Sequence, residues 1–426
     1  MEEPIFVCLQ RGFSVPIRDP LWGHVYLTAG LAALTESAPF MRLTRIFQLG
    51  PAYCVYPGAT HTRASHSVGV YYLARKLLIS LCEKGASWLT PCGVLSFLCA
   101  ALLHDLGHFP YTHSLKELIL EDHETLSARI ILSEPLKSLI GDAGADPEFT
   151  AAIIDKKAPN NAPKESGGGD TELCFYRQLL SGVLDPDKLD YLNRDARYCG
   201  VPYGAQDVDF IYSRLFPHKD RGVEIDSRSI PNVESVLFSK YLMYRTVYWH
   251  RKVRSATAMI KKALITGLEQ RIIAAEDLYG LDDQGLFTLM AAKQKEAPSF
   301  SLADRVREGK LYFEAAFFPY YKDKDSSEEH SNCIEKRKAQ ETALAEELSR
   351  ALGKTIDSDS VIIDIPEPIS FETDLFVSDE NCSFGESSSA FKKSAVEAFV
   401  RSLRTVRIFT KKPLDIPEKV VHNCIK

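Results

Sequence analysis

Residues 90–108, TPCGVLSFLCAALLHDLGH, place apolar side chains at Val94, Leu95, Leu98, Ala101 and Leu102, a helical spacing that runs out at His104, Asp105 and the breaker Gly107. A second run of the same period, Val68, Tyr71, Tyr72, Leu77 and Leu78, ends before Gly85. Stretches like these dominate the first 300 residues and restrict that part to an α-helical bundle. At 426 residues with 45% hydrophobic side chains, the chain can bury a large core.

The character changes after about residue 300. Residues 322–341, KDKDSSEEHSNCIEKRKAQE, begin as a polar linker and turn into an Ala/Glu/Leu-rich helix up to Gly353, while SVIIDIP and TVRIFTK read as short strands. The expected fold class is therefore mainly α: a helical catalytic core over residues 1–300, then a small α+β accessory region over 301–426. Within the core, DKKAPNNAPKESGGGD at 155–170 reads as a mobile loop, and 234–277 is helical by period, with Tyr, Trp and His beside Arg and Lys. No internal repeat is visible.

The net charge of −6 gives no broad electrostatic footprint for duplex DNA or RNA, although a local basic groove for a nucleotide is compatible with it. The ten cysteines show neither a C-x-x-C pair nor a compact framework, which argues against thiolate metal sites and a disulfide scaffold. The N-terminus carries acidic residues at once, and no window reaches about 18 uninterrupted apolar residues. A cytoplasmic protein with no membrane partner is expected.

Four side chains carry the chemistry. His104 and Asp105 leave the end of one helix about 100° apart, and both can reach a metal set between them. His66 begins the other apolar helix after the turn-forming Pro57–Gly58, and seven of the eleven histidines fall between residues 24 and 123. Asp187 lies in a first helical turn, after Asp185 as a cap and Pro186 as the first helical residue. Singly, each has a bland reading, since histidine suits a helix C-terminus and aspartate a helix N-terminus. Asp187, Tyr191 and Asp195 repeat at i, i+4 and i+8 beside Lys188, which makes that helix face look like a substrate wall. Asp190 and Arg194, four apart on another face, read as a structural ion pair.

A His2Asp2 set suits one divalent ion, whether Mn, Fe, Mg, Co, Ni or Zn, with open positions for water and a phosphate oxygen. His108, His113 and His123 follow closely, and histidine near neutral pH can donate a proton to a leaving phosphate or hold its charge.

The pattern His66…His104–Asp105…Asp187 resembles the HD-domain phosphohydrolases, and the likeness extends well past four residues. DPLWGHVYLTAGLAALTESAPFMRLTRIFQLGPAYCVYPGATHTRASHSVGV, ALLHDLGHFPYTHS and LDPDKLDYLNRDARYCGV follow in the order of the dNTP triphosphohydrolase branch, over roughly residues 14 to 270. The resemblance implies an HD-domain helical bundle with His66, His104, Asp105 and Asp187 as metal ligands. It places Arg63, His108, His113 and His123 where the family contacts phosphates or supplies the general acid, with His123 protonating the leaving group. Lys188 would bind phosphate, Tyr191 and Asp195 the sugar, Gln48 and Leu49 the 3′-hydroxyl side, and Tyr248 the sugar or base.

The sequence departs from the mammalian pattern at Trp249, where that pattern has glutamine, and at Lys240, where it has a phosphate-binding arginine; lysine keeps the charge but loses the bidentate fork. The implied activity is hydrolysis of a deoxynucleoside triphosphate to deoxynucleoside and triphosphate by metal-activated water, in a homo-oligomer, dimer or tetramer. The alternatives are an HD-type enzyme acting on a mononucleotide or guanosine alarmone, and a non-catalytic nucleotide-binding regulator using RSLRTVRIFTKK as a binding strip.

Overall fold

The computed structural model describes residues 4–115, 118, 120–157, 169–320, 331–367, 369–416 and 419–420. The fold is mainly α with three small sheets. Both apolar runs are helices, Arg63–Glu83 and Pro91–Leu103, packed against each other. The second starts where the Thr90 hydroxyl accepts from the Gly93 N–H and Pro91 fills the first helical position. Val94, Phe97, Leu98, Ala101 and Leu102 are fully buried along it. Each large apolar side chain buried this way contributes about 1.5–3 kcal/mol.

The third helix of the site, Pro186–Cys199, packs on Arg63–Glu83. Its ends are set by short-range chemistry: Asp185 accepts from the Lys188 N–H at 2.6 Å, and Gly200 closes it with φ of 66°, a left-handed conformation that glycine adopts without a Cβ penalty.

The segment expected as one helix over 234–277 is broken in two. Ile230–Met243 runs into a π-helical turn, Tyr244–Tyr248, and a new helix starts at Arg251–Glu269, with the His250 side chain accepting from the Lys252 N–H. Periodicity alone does not see such a break, because the chain leaves the helix at Trp249 and His250, neither of them a Gly or Pro that would mark it.

Val15–Asp19 and Gly23–Leu27 form an antiparallel hairpin. Both expected C-terminal strands are present, as Val361–Asp364 and Thr405–Thr410, joined in one sheet by Phe313–Pro319, which the sequence reading missed. The Ala/Glu/Leu-rich segment is the helix Ser331–Leu352, whose Leu344 and Leu348 pack on Val361, Ile363, Val406 and Ile408 of that sheet. Residues 322–330 of the expected linker and 158–168 of the expected loop lie outside the described residues.

The division at 300/301 separates segments that the fold interleaves. Phe376–Val377 pairs in parallel with Gly222–Ile225 in a four-stranded sheet, and Phe371, Leu375, Phe384, Phe391 and Leu403 join the core built by the first helices. Among the described residues no helix is long and apolar enough to cross a membrane.

Candidate metal centre

His66 sits in the first turn of one helix, His104 caps the end of the next, Asp105 follows it, and Asp187 opens the third. Packing of the three brings the four side chains together. His66 Nε2 is 2.9 Å from Asp187 Oδ1, and His104 Nε2 is 3.3 Å from Asp105 Oδ1 and 3.9 Å from Asp187 Oδ1. Donors about 2.0–2.2 Å from one ion, on neighbouring coordination positions, stand roughly 3 Å apart. His66, His104 and Asp105 each offer a ligand atom within 4.8 Å of the others, close enough to share one ion, and Asp187 reaches both imidazoles from the third helix.

The outer nitrogens support the same reading. His66 Nδ1 faces Asp190 Oδ2 at 2.8 Å and His104 Nδ1 faces the Ala101 carbonyl at 3.0 Å, so each imidazole turns Nε2 inward. His104 Nε2 is buried with no hydrogen-bond partner among the described residues. A buried nitrogen of that kind costs free energy unless something coordinates it.

The electrostatics call for positive charge. Burial opposes a charge on His66, but the hydrogen bonds and charges of Asp187 and Asp190 outweigh it and push the imidazole up to about 10. Asp105 is held well below the usual carboxylate range: burial works the other way, but the positive charge around it, with the Arg63 guanidinium in direct contact, prevails. Arg63 Nη1 donates to Asp105 Oδ2 at 2.8 Å.

The centre opens on a cavity of about 510 Å³. Of the residues singled out from the sequence, His66, His104, Asp105, Asp187, Arg63, His108, His113 and His123 all line it. The last three histidines pack in a cluster, tilted or edge-on, with ring centroids 3.9 Å apart for His108 and His123 and 4.9 Å for His108 and His113. His108 and His113 share a hydrogen bond of 3.0 Å between their Nε2 atoms, and His123 Nδ1 lies 3.2 Å from Glu124 Oε2. Burial first, then the Arg63 charge, holds His108 well below the usual histidine value, so its ring is neutral.

Gln48, Leu49, Lys188, Tyr191, Asp195, Tyr248 and Trp249 line the cavity too. Asp195 is gripped on both oxygens, by His61 Nε2 at 2.8 Å and by the Tyr248 hydroxyl, which donates at 2.6 Å. The Gln48 side-chain oxygen is buried without a partner among the described residues. Lys188 Nζ donates to Asp185 Oδ2 at 2.8 Å and to the Gly182 carbonyl at 2.9 Å.

Lys240 is not brought to the cavity. Its buried ammonium donates to the Ser370 carbonyl at 2.8 Å and to Glu372 Oε2 at 3.0 Å. Burial works against charge on Glu372, yet Lys240 and Lys188 hold it down at about 2, while burial lowers Lys240 despite the Glu372 carboxylate. The Asp190–Arg194 ion pair is present, at 2.8 Å, and Asp190 also faces His66, which the sequence reading did not foresee.

Several lining residues were missed. Tyr244 stands four before Tyr248, a spacing that could have found it. Lys156, Arg254, Thr257, Asp283 and Glu367 reach the wall through tertiary packing and carry no local signal. Asp283 accepts from the Phe47 N–H at 2.8 Å, and burial pushes its carboxyl up to about 6.

Comparison with known proteins decides the family. A model of the HD domain matches residues 63–155, the stretch that carries three of the four candidate ligands, and a model of the HD associated region matches 214–404. The chain belongs to the HD-domain phosphohydrolase family. This HD-domain chain is 34% identical over 250 residues to an uncharacterized protein of Bacillus subtilis, covering 58% of this chain and 54% of that one. It is 29% identical over 274 residues to the deoxynucleoside triphosphate triphosphohydrolase SAMHD1 of Homo sapiens, covering 58% of this chain and 44% of that protein. The chain spans about half the length of the curated relatives it matches. A crystal structure of a hypothetical protein from Aquifex aeolicus superimposes with a TM-score of 0.69 at 25% identity, covering 93% of this chain and 96% of that one.

Proposed function

We propose that this chain hydrolyses deoxynucleoside triphosphates to deoxynucleoside and triphosphate, at one divalent metal held by His66, His104, Asp105 and Asp187. The observation that carries this reading is a single cavity walled both by those four groups and by the Lys188, Tyr191, Asp195 face. Likeness to a protein named as a deoxynucleoside triphosphate triphosphohydrolase supports the substrate class. When bound, a divalent cation supplies charge neutralisation at phosphate oxygens and acidifies water.

The chain's own groups do the rest. Asp195, fixed from two sides, accepts from a sugar hydroxyl, and the unpartnered Gln48 oxygen accepts from another on the 3′ side. Leu49 and Tyr191 close the sugar site, and Tyr248 packs at the sugar or base. Arg63 and the neutral His108 hold phosphate oxygens, His113 supports them, and His123 gives its proton to the departing group, oriented by Glu124. The expected assembly is a homodimer or tetramer in the cytoplasm.

A second reading, hydrolysis of a 5′-mononucleotide, is favoured by one observation. Lys188 and Lys240 are both engaged by carboxylates, which leaves fewer cations for a triphosphate. The purified protein with Mn(II), assayed on the four dNTPs, the matching NTPs and dNMPs, separates the two. Tripolyphosphate from dNTPs is the expected product. Its absence from all four dNTPs overturns the first reading, and orthophosphate from dNMPs alone establishes the second.

A further inference from the structure

The motif DPLWGH, residues 19–24, forms the tip of the N-terminal hairpin and lines no part of the cavity. It ends instead against the back of the metal centre. Asp19 Oδ1 accepts from the N–H groups of Leu21 and Trp22, both at 2.8 Å, which closes the turn, and its Oδ2 accepts from Arg194 Nη1 at 2.9 Å. Arg194 then forks onto Asp190, Nε to Oδ2 at 2.8 Å and Nη2 to Oδ1 at 2.9 Å. Trp22 Nε1 donates to the same Asp190 Oδ1 at 2.5 Å, and Asp190 Oδ2 faces His66 Nδ1 at 2.8 Å.

We propose that the hairpin tip is the outer brace of the metal centre, with Asp190 as the positioning residue that fixes His66 for a divalent cation. This rests on the metal-centre reading above. The Asp190 and Arg194 side chains are 0% exposed, so neither can exchange a lost partner for water. The contact of Asp190 Oδ2 with His66 Nδ1 fixes the ring plane and leaves Nε2 on the cavity side. Gly69 completes the slot, since a Cβ there would collide with the Asp190 carboxylate and the Arg194 guanidinium. Rotation of the imidazole would strip Asp190 of a donor in a dry interior, and that cost locks the ring.

The test measures Co(II) affinity by competition with a chromophoric chelator, together with the Co(II) visible spectrum, on the full chain. Asp190→Asn is expected to weaken Co(II) binding about tenfold to a hundredfold and to alter the spectrum. Trp22→Phe keeps the stacking on Tyr72 but deletes one donor, and should weaken binding about fivefold. Glu341→Gln, a buried carboxylate bonded to the Ile363 N–H and Lys262 at the C-terminal sheet, should lower the unfolding midpoint and leave Co(II) affinity unchanged. If Asp190→Asn does not fold, Trp22→Phe decides. Affinities within about twofold of the wild type for both Asp190→Asn and Trp22→Phe, or an equal loss in Glu341→Gln, overturn the brace. A wild-type chain that binds no Co(II) overturns the metal centre itself, which is a distinct result.

Discussion

At the scale of the residue, each imidazole of the ligand set gives one nitrogen to the protein and turns the other to the cavity. Among the described residues the hydrogen bond of the His104 imidazole is with the Ala101 carbonyl, so its truncation separates binding from folding. His104→Ala should weaken divalent-metal binding by more than about a hundredfold, beyond the loss of an outer partner, and cost the fold only about 1 kcal/mol. Equilibrium dialysis with metal analysis, beside urea unfolding of the metal-free protein, reads both numbers. Lys156 offers a second case, because among the described residues its ammonium has no hydrogen bond or ion pair, while Lys188 is engaged. Lys156→Ala should raise KM for a triphosphate about fivefold, the equivalent of about 1 kcal/mol, with kcat nearly constant. That the four candidate ligands and Lys188 line one cavity was legible because helix ends announce themselves through Asp185, Pro186 and Gly107. Lys240 was misplaced because its partner Glu372 lies 132 residues away, and nothing local marks such a pairing.

At the scale of the element, the break between Ile230–Met243 and Arg251–Glu269 turns a run of aromatics inward. The π-turn puts Tyr244 and Tyr248 at the cavity, their rings perpendicular with centroids 5.0 Å apart. The two hydroxyls have different surroundings: Tyr248 donates to Asp195, whereas Tyr244 has no hydrogen-bond partner among the described residues. Tyr248→Phe should therefore cost about 1.5–3 kcal/mol, the value of a bond to a buried carboxylate, and Tyr244→Phe no more than about 0.5 kcal/mol. Urea unfolding of the two variants checks the difference, and equal losses would mean the Asp195 contact does not stiffen the turn. The helical period of the whole segment was readable, but the break was not. Its position depends on Asp195 and Trp249 finding their places in the packed core, a tertiary condition.

At the scale of the molecule, the metal centre and the C-terminal region share one core. Phe371, Leu375, Val377, Phe384, Phe391 and Leu403 pack with residues of the first helices, and Glu367 lines the active cavity. Asp364 also holds Arg254, a buried guanidinium, through two bonds of 2.8 and 2.6 Å. The sequence showed a change of composition near residue 300, which reflects the switch from helices to strands and not a seam in the packing. A chain cut after residue 300 loses those six apolar side chains at about 1.5–3 kcal/mol each. It also leaves Arg254 buried without its carboxylate, at about 3–5 kcal/mol. That sum, about 12–23 kcal/mol, reaches or exceeds the net stability of about 5–15 kcal/mol typical of a folded domain. The fragment should therefore show no cooperative thermal transition, bind a hydrophobic dye, and take up no stoichiometric metal. A fragment 1–300 that unfolds cooperatively and binds one equivalent of Co(II) would mean instead that the HD core folds alone, with the interleaved strands added to a finished metal centre.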